Sequence, residues 1–305
     1  MACGGMHQSG SQAATVLDSL IDRLHERGRL RVWSVVISVF GDAIVPRGGR
    51  VGLATLQELA ERLRIEPGAL RTAMSRLASD HWVIRERVGR NSFFSLDRRG
   101  RHAFDLATRR IYAAGPPAWD GKWTVAIIPP GEAATRVDLS NLGFVRAGSG
   151  VHLRPETFEA PDAAADLEGM LVVHGESAEH PEAFRALWPS EAVADAYRHL
   201  IENFAPLSRA VGGNGSLRPL DAMAARTMLV HDWRRIVLRD PGLPEALMPQ
   251  GWPGEDARAL VRGIYAALVD PSERWLDAAG LPPAKDATML ARRFGGESGL
   301  AQSSR

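Results

Sequence analysis

PGALRTAMSRLASDHWVIRERVGRNSFFSL, residues 67–96, is the stretch that decides the fold. Pro67 suits the first position of a helix, where its missing N–H is not needed. From there to Asp80, at about 100° per residue, Leu70, Ala73, Met74 and Leu77 fall on one apolar face. Gly68, Thr72, Ser75 and Ser79 fall opposite, flanked by Arg71 and Arg76. Short side chains let a helix approach a groove closely, and arginine reaches guanine edges or phosphates. Strand-type alternation follows over Trp82–Val88, then a turn at Gly89-Arg90, then a second strand over Asn91–Leu96. Arg85 and Arg87 share one face of this hairpin, and Trp82, Ile84 and Val88 share the other. With Arg90, Asn91 and Ser92 at its tip, the hairpin presents a basic loop suited to backbone phosphate.

The segments before this stretch extend the pattern. Val32–Val45 is long enough to read as a buried helix despite its β-branched content. Pro46-Arg47-Gly48-Gly49 is a turn, and Arg50–Leu53 a short strand. Thr55-Leu56-Gln57-Glu58 has the form of a capping box opening a helix with Leu56, Leu59, Ala60 and Leu63 on one side. After the hairpin, Asp97 is placed to cap a helix over Arg98–Ala113 with Phe104, Ala107 and Ile111 inward. Helix, strand, helix, helix and two-stranded wing is the winged-helix order. At the N-terminus, Met1–Gln12 reads as a Gly/Ser-rich tail with no signal-peptide core. Val16, Leu17, Leu20, Ile21 and Leu24 then form an amphipathic stripe that must cover the chain's own core or a second copy.

Charge is unevenly placed. The chain has 305 residues and a formal net charge of +1. Between Asp22 and Gly115, however, 18 arginines and no lysine face 10 acidic residues, and the remainder is acidic. A basic module on an acidic body is steered toward polyanions. Hydrophobic content of 45 % and charged content of 24 % are ordinary for a water-soluble protein. No apolar run reaches membrane-spanning length, and the single cysteine, Cys3, excludes an internal disulfide; both suit the cytoplasm.

Beyond a short linker at Ala113–Ala118, strands are expected over Lys122–Ile128, Phe144–Ala147, Val151–Leu153 and Met170–His174, with a helix over Gly131–Leu142. This is a ferredoxin-like β-α-β-β-α-β order. From Pro181 onward the pattern is helical. Motifs for phosphate loops, zinc proteases and nucleophile elbows are absent. His174-Gly175-Glu176 is half of a zinc-deaminase motif whose cysteine half one cysteine cannot supply. No catalytic residue, metal or resident cofactor is therefore expected. The densest polar stretch of the body surrounds Trp233, Arg234 and Arg235. Those arginines suit the phosphates of a ligand, with Trp233 or Trp252 stacking on its ring, and equally suit internal ion pairs.

Several long runs carry a family resemblance. VVISVFGDAIVPRGG (35–49), LRTAMSRLASDHWVIRERVGRNSFFSLDRRG (70–100), RRIYAAGPPAWDGKW (109–123), LSNLGFV (139–145), VHLRPE (151–156) and the segment from Arg226 to Tyr265 resemble the PaaX family of phenylacetate-pathway repressors. The resemblance covers about Val32 to Asp277. It implies an α+β protein with a winged helix-turn-helix over residues 29–115, a ferredoxin-like domain over 119–177 and a helical domain over 181–295. A tail and helix over 1–28 and a disordered tail over 296–305 flank them. It also implies a homodimer on double-stranded operator DNA, repressing an aromatic-acid operon and released by phenylacetyl-coenzyme A. By position in the family's winged helix, Arg71, Thr72, Ser75 and Arg76 fall on the recognition helix, and Arg85, Arg87, Arg90 and Asn91 in the wing. Pro129–Ala134 lacks the basic residues expected there, which leaves another acyl-coenzyme A, or no effector, open. A nuclease or thioesterase on the ferredoxin-like body is the enzymatic alternative, but its first strand, Trp123–Ile128, carries no acid.

Overall fold

The computed structural model describes residues 5–26, 30–129, 139, 142–157, 163–177, 179, 181–188, 191–212 and 216–295. Most of the helix expected over Gly131–Leu142, and the tail 296–305, lie outside the described residues. The chain is a mixed α+β protein with two antiparallel sheets. It divides into two compact units: residues 1–114, 197–238 and 255–305 form the first, and residues 115–196 and 239–254 the second. No helix among the described residues is long and apolar enough to cross a membrane.

The first unit starts with α1 (Gly5–Glu26) and α2 (Val32–Val39). The helix thus begins within the stretch expected to be a loose tail. Ala13, Leu17, Leu20 and Ile21 of α1 are buried, so this chain's own core covers the amphipathic stripe. A π turn (Phe40–Ile44) and a 3-10 turn (Val45–Arg47) extend α2, and Gly48 and Gly49 then take φ of 93° and 77°, which favour glycine. There follow β1 (Arg50–Gly52), α3 (Leu53–Arg62), α4 (Pro67–Ser79), β2 (Val83–Val88), β3 (Asn91–Leu96) and α5 (Arg98–Ile111). The three strands pair in the order β1-β3-β2.

One local expectation changes, and strand register adds what alternation left open. Gly52 rather than Thr55 precedes the first residue of α3, so the capping box is not formed, and Glu58 instead accepts from Trp275 Nε1 at 3.1 Å. On β2, register places Val83 opposite Leu96 and Arg85 opposite Phe94. Residues directly opposite share a face, so Val83 is the inward residue. Ile84 and Val88 face the other way and are each 50 % exposed.

The C-terminal helices share this unit with the N-terminal elements instead of standing apart as a separate domain. Helix α8 (Pro219–Val237) is buried continuously from Asp221 to His231, with α1, α2, α3 and α5 packed on it. Helix α9 (Gly254–Ala278) adds Val261, Ile264, Tyr265, Leu268 and Leu276 to the core. Where α2 meets α8, the Ser38 hydroxyl lies 3.1 Å from His231 Nδ1. Burial, reinforced by Arg234 and Arg235, pushes the His231 pKa down to about 3.

A buried ion cluster ties these elements together. Asp42, on the π turn, is 2 % exposed and receives Arg226 Nε of α8 at 2.6 Å and Arg293 Nη1 at 2.6 Å. Tyr112 and Tyr265 donate to the same carboxylate at 2.7 and 2.9 Å. Burial pushes Asp42 up, but the two guanidiniums outweigh it and hold the carboxyl below its usual range. Arg226 also reaches Glu273 at 2.6 Å, and Glu273 in turn accepts Arg47 Nε at 2.7 Å.

In the second unit, β4 (Trp119–Ile127), β5 (Val145–Gly148), β6 (Val151–Thr157) and β7 (Leu171–Glu176) pair in the order β5-β6-β4-β7, all antiparallel. One face of this sheet meets a small core of Ala126, Leu139, Phe144, Ala163 and Leu167. The opposite face carries Val125, Ile127, Leu153, Leu171 and Val173, of which Leu171 is 61 % and Val173 45 % exposed. The remaining α-helices among the described residues are α6 (Glu182–Arg185), α7 (Glu191–Gly212) and α10 (Ala287–Arg292).

Removing one member of a buried ion pair costs about 3–5 kcal/mol. Asp42→Asn, which leaves Arg293 without a carboxylate, is expected to lower unfolding free energy by that amount in urea titration; a loss within error of zero would show the cluster to be ornamental. His231 supplies a pH dependence. Its folded pKa lies below the unfolded one, so the unfolded chain binds the extra proton between about pH 3 and 6.5, and stability falls on acidification through that window. From pH 7 to 5 wild type should lose about 2 kcal/mol relative to His231→Gln. Parallel titrations of the two proteins at both pH values check this, and equal losses refute it.

Candidate nucleic-acid interface

Helix α4 is seated by its apolar face. Leu70, Ala73, Met74 and Leu77 are buried, and each large side chain contributes about 1.5–3 kcal/mol of hydrophobic stabilisation. Helix α3 ends at Arg62, the chain turns at Arg64, which takes φ of 55°, and the Ile65 amide donates to the Ala60 carbonyl at 2.8 Å. Pro67 opens α4 directly afterwards, so the turn between the helices is short and buried at Leu63 and Ile65.

The opposite face of α4 is open. Gly68, Arg71, Thr72, Ser75, Arg76 and Ser79 are all exposed. The Thr72 hydroxyl donates to the Gly68 carbonyl at 3.0 Å, leaving its lone pairs outward. Arg76 lies 3.5 Å from Asp80 and 5.7 Å from the centre of the Trp33 ring, an exposed pair of small energetic weight that leaves the guanidinium free to turn. Among the described residues Arg71 has no ion-pair partner.

The β2–β3 hairpin carries the second group of cations. Gly89 has φ of 60° at the turn, with Arg90 beside it, and Asn91 pairs with Val88. Arg85 donates to Ser92 Oγ at 2.9 Å, which fixes its direction across the two strands. Arg87 and Arg90 are exposed and, among the described residues, have no ion-pair partner. One supporting residue escaped the sequence reading. Arg50 of β1 stacks 3.8 Å over the Phe93 ring and pairs with Glu86 at 3.0 Å, bracing the hairpin from the neighbouring strand. Only strand register reveals that contact.

The residues expected to meet a ligand in the body lie differently. Trp233 is fully buried and donates its indole N–H to the Ile111 carbonyl at 2.7 Å. Arg234 donates to Ser38 Oγ at 2.7 Å and to the Ser34 carbonyl and hydroxyl at 3.0 and 2.6 Å. Burial, with Arg235 adding repulsion, pushes its pKa down to about 10. These two side chains are consumed in joining α8 to α2 and α5. Arg235 is exposed, and Trp252 is partly buried in the second unit. Among the described residues no three His, Cys, Asp or Glu side chains gather as metal ligands.

Comparison with known proteins follows this division of the chain. The family model described as PaaX-like protein matches residues 31–100, which contain α4 and the hairpin, and the PaaX-like protein C-terminal domain matches residues 188–278. The transcriptional repressor PaaX of Escherichia coli strain K12 is 33 % identical over 287 residues, covering 86 % of this chain and 90 % of that protein. A solved structure, the uncharacterized protein Rv0674 from Mycobacterium tuberculosis, is similar in fold with a TM-score of 0.54 at 22 % identity, over 79 % of this chain and 97 % of that one. With both family models matched and a one-third-identical relative aligned along most of its length, this chain belongs to the PaaX family.

Proposed function

We propose that this protein is a transcriptional repressor that grips double-stranded operator DNA through a winged helix-turn-helix over residues 29–115. The observation that carries the reading is the exposed face of α4, small and hydroxylated between Arg71 and Arg76, next to the basic β2–β3 hairpin. In this reading α4 is the recognition helix. Gly68, Thr72, Ser75 and Ser79 allow close approach to the major groove, and Arg71 and Arg76 reach base edges. Arg85, Arg87, Arg90, Asn91 and Ser92 form the wing on the phosphate backbone. The strand order β1-β3-β2 with three helices supports the winged-helix reading, and the order β5-β6-β4-β7 supports a ferredoxin-like sheet. The name of the Escherichia coli relative supports repression.

The finer reading is a homodimeric regulator in the cytoplasm. It controls an aromatic-acid operon of the phenylacetate type and leaves DNA when an acyl-coenzyme A such as phenylacetyl-coenzyme A binds. Release requires the effector to favour an arrangement that DNA does not accept. The protein acts by binding rather than by catalysis. The half-exposed apolar side chains of the edge strand β7, Leu171 and Val173, support a second copy as partner. Two wings on a symmetric site double the contacts available to one.

Arg71→Ala and Arg76→Ala are each expected to weaken specific operator binding by about 1–3 kcal/mol, or roughly 5- to 150-fold, with unchanged thermal stability. Arg87→Ala should weaken binding to all duplexes alike and flatten its salt dependence. Gel-shift titrations on the promoter fragment and on unrelated DNA distinguish these patterns; wild-type affinity in both α4 variants would refute the recognition helix. Val173→Glu is expected to convert a dimer to a monomer in sedimentation velocity, and a wild type that sediments as a monomer would exclude the dimer.

A further inference from the structure

The two arginines that flank the open face of α4 are held differently. Among the described residues Arg71 has no ion-pair partner, whereas Arg76 meets both a carboxylate and an aromatic ring. Asp80, one turn further along at the end of α4, brings Oδ2 to 3.5 Å from Arg76 Nε. Trp33, in the first turn of α2, is partly buried, and its ring centre lies 5.7 Å from the guanidinium carbon. Nε is thus the guanidinium nitrogen nearest the carboxylate. Among the described residues neither Nη1 nor Nη2 has an acceptor. In the free protein the pair weighs little, since the Arg76 and Asp80 side chains are 65 % and 51 % exposed. Entry into a DNA groove excludes water, and the same charges then attract more strongly.

We propose that Arg76 reads a guanine, and that Asp80 and Trp33 are its positioning residues. With Asp80 at Nε and the Trp33 ring against the same guanidinium, the two terminal nitrogens are left as a planar fork. That fork matches the O6 and N7 acceptors on the major-groove edge of guanine. Adenine offers one acceptor and a donor there, and thymine one acceptor and a methyl group, so neither fills it. The inference rests on the recognition role proposed above for α4 and adds a base identity to it. It also gives the carboxylate a purpose. A negative charge beside a surface that meets phosphate lowers affinity for every duplex. Asp80 therefore orients Arg76 on the correct base and opposes binding where no guanine engages it, so that specificity is a difference between two affinities.

Selection of bound duplexes from a randomised pool by the full chain, followed by gel-shift titration of the selected site and its single-pair exchanges, tests this. Wild type should select a fixed G·C pair whose exchange weakens its binding roughly 5- to 150-fold. The same exchange should leave Arg76→Ala binding unchanged. Asp80→Asn keeps the side chain's size at an exposed position and should keep the wild-type melting temperature. It is expected to lose roughly 3-fold or more of the discrimination at that pair. It should also bind unrelated DNA more tightly, whereas a merely structural role would lower both affinities together. Trp33→Phe, which keeps a ring, should retain the guanine preference, and Trp33→Leu should reduce it. Each ratio compares two duplexes on one variant, so a lower folded fraction does not alter it. In the Arg76→Ala background, Asp80→Asn should change the discrimination no further, because Asp80 acts through Arg76. The inference is overturned if no G·C exchange separates wild type from Arg76→Ala, if Asp80→Asn keeps full discrimination, or if the double variant loses more than Arg76→Ala. A wild type that selects no site overturns the recognition helix as well; selection by wild type with the same pattern in Arg76→Ala overturns the guanine contact alone.

Discussion

The Asp42 carboxylate sits between two guanidiniums, Arg226 from α8 and Arg293 from the segment after α10, with two tyrosine hydroxyls completing its shell. A charge taken that far from water is tolerated only when its attraction to opposite charge and its hydrogen bonds offset the desolvation. Here five chain segments meet that condition together, since Tyr112 follows α5 and Tyr265 lies on α9. Withdrawing Asp42, Arg226 or Arg293 leaves a buried opposite charge short of a partner, and withdrawing either tyrosine leaves the carboxylate short of a hydrogen bond. The N-terminal module is therefore built into the C-terminal helices, and residues 31–100 share one core with α8 and α9.

That shared core gives α4 its posture. The helix rests its Leu70–Leu77 face on α2, and α2 is pinned to α8 by Arg234 through Ser34 and Ser38. The recognition role proposed for α4 needs such a backing, because a binding constellation must be held rigidly by the residues behind it. The chain spends Trp233 and Arg234 on this backing. A polar, aromatic segment that looked suited to a ligand is thus the internal side of the scaffold that aims α4 outward.

The hairpin is stiffened differently. Its strands are short and largely solvated, and the Arg50–Phe93–Glu86 stack and the Arg85–Ser92 bond do the work that a second hydrophobic face would do elsewhere. At its turn end, residues Arg90 to Phe93 border an opening shared with the turn 279–282 after α9.

The sequence by itself determined the helix boundaries around α4, the side of that helix which packs and the side which stays open, and the strand–turn–strand that follows. It did so because a 3.6-residue apolar period, a proline at a helix start and a glycine at a tight turn act locally. It also determined the clustering of arginine before Gly115. Alternation told which residues of β2 share a face, and register against β3 decided that Val83 is on the inward one. Only tertiary structure decided that Thr55 lies inside a helix and not at its cap, that the C-terminal helices join the first unit, that Trp233 and Arg234 turn inward, and that Asp42, Arg226 and Arg293 meet. The reason is separation along the chain: Asp42 gains its partners from positions nearly two hundred and two hundred and fifty residues away. No local pattern of residue types encodes which distant charge a buried carboxylate will find.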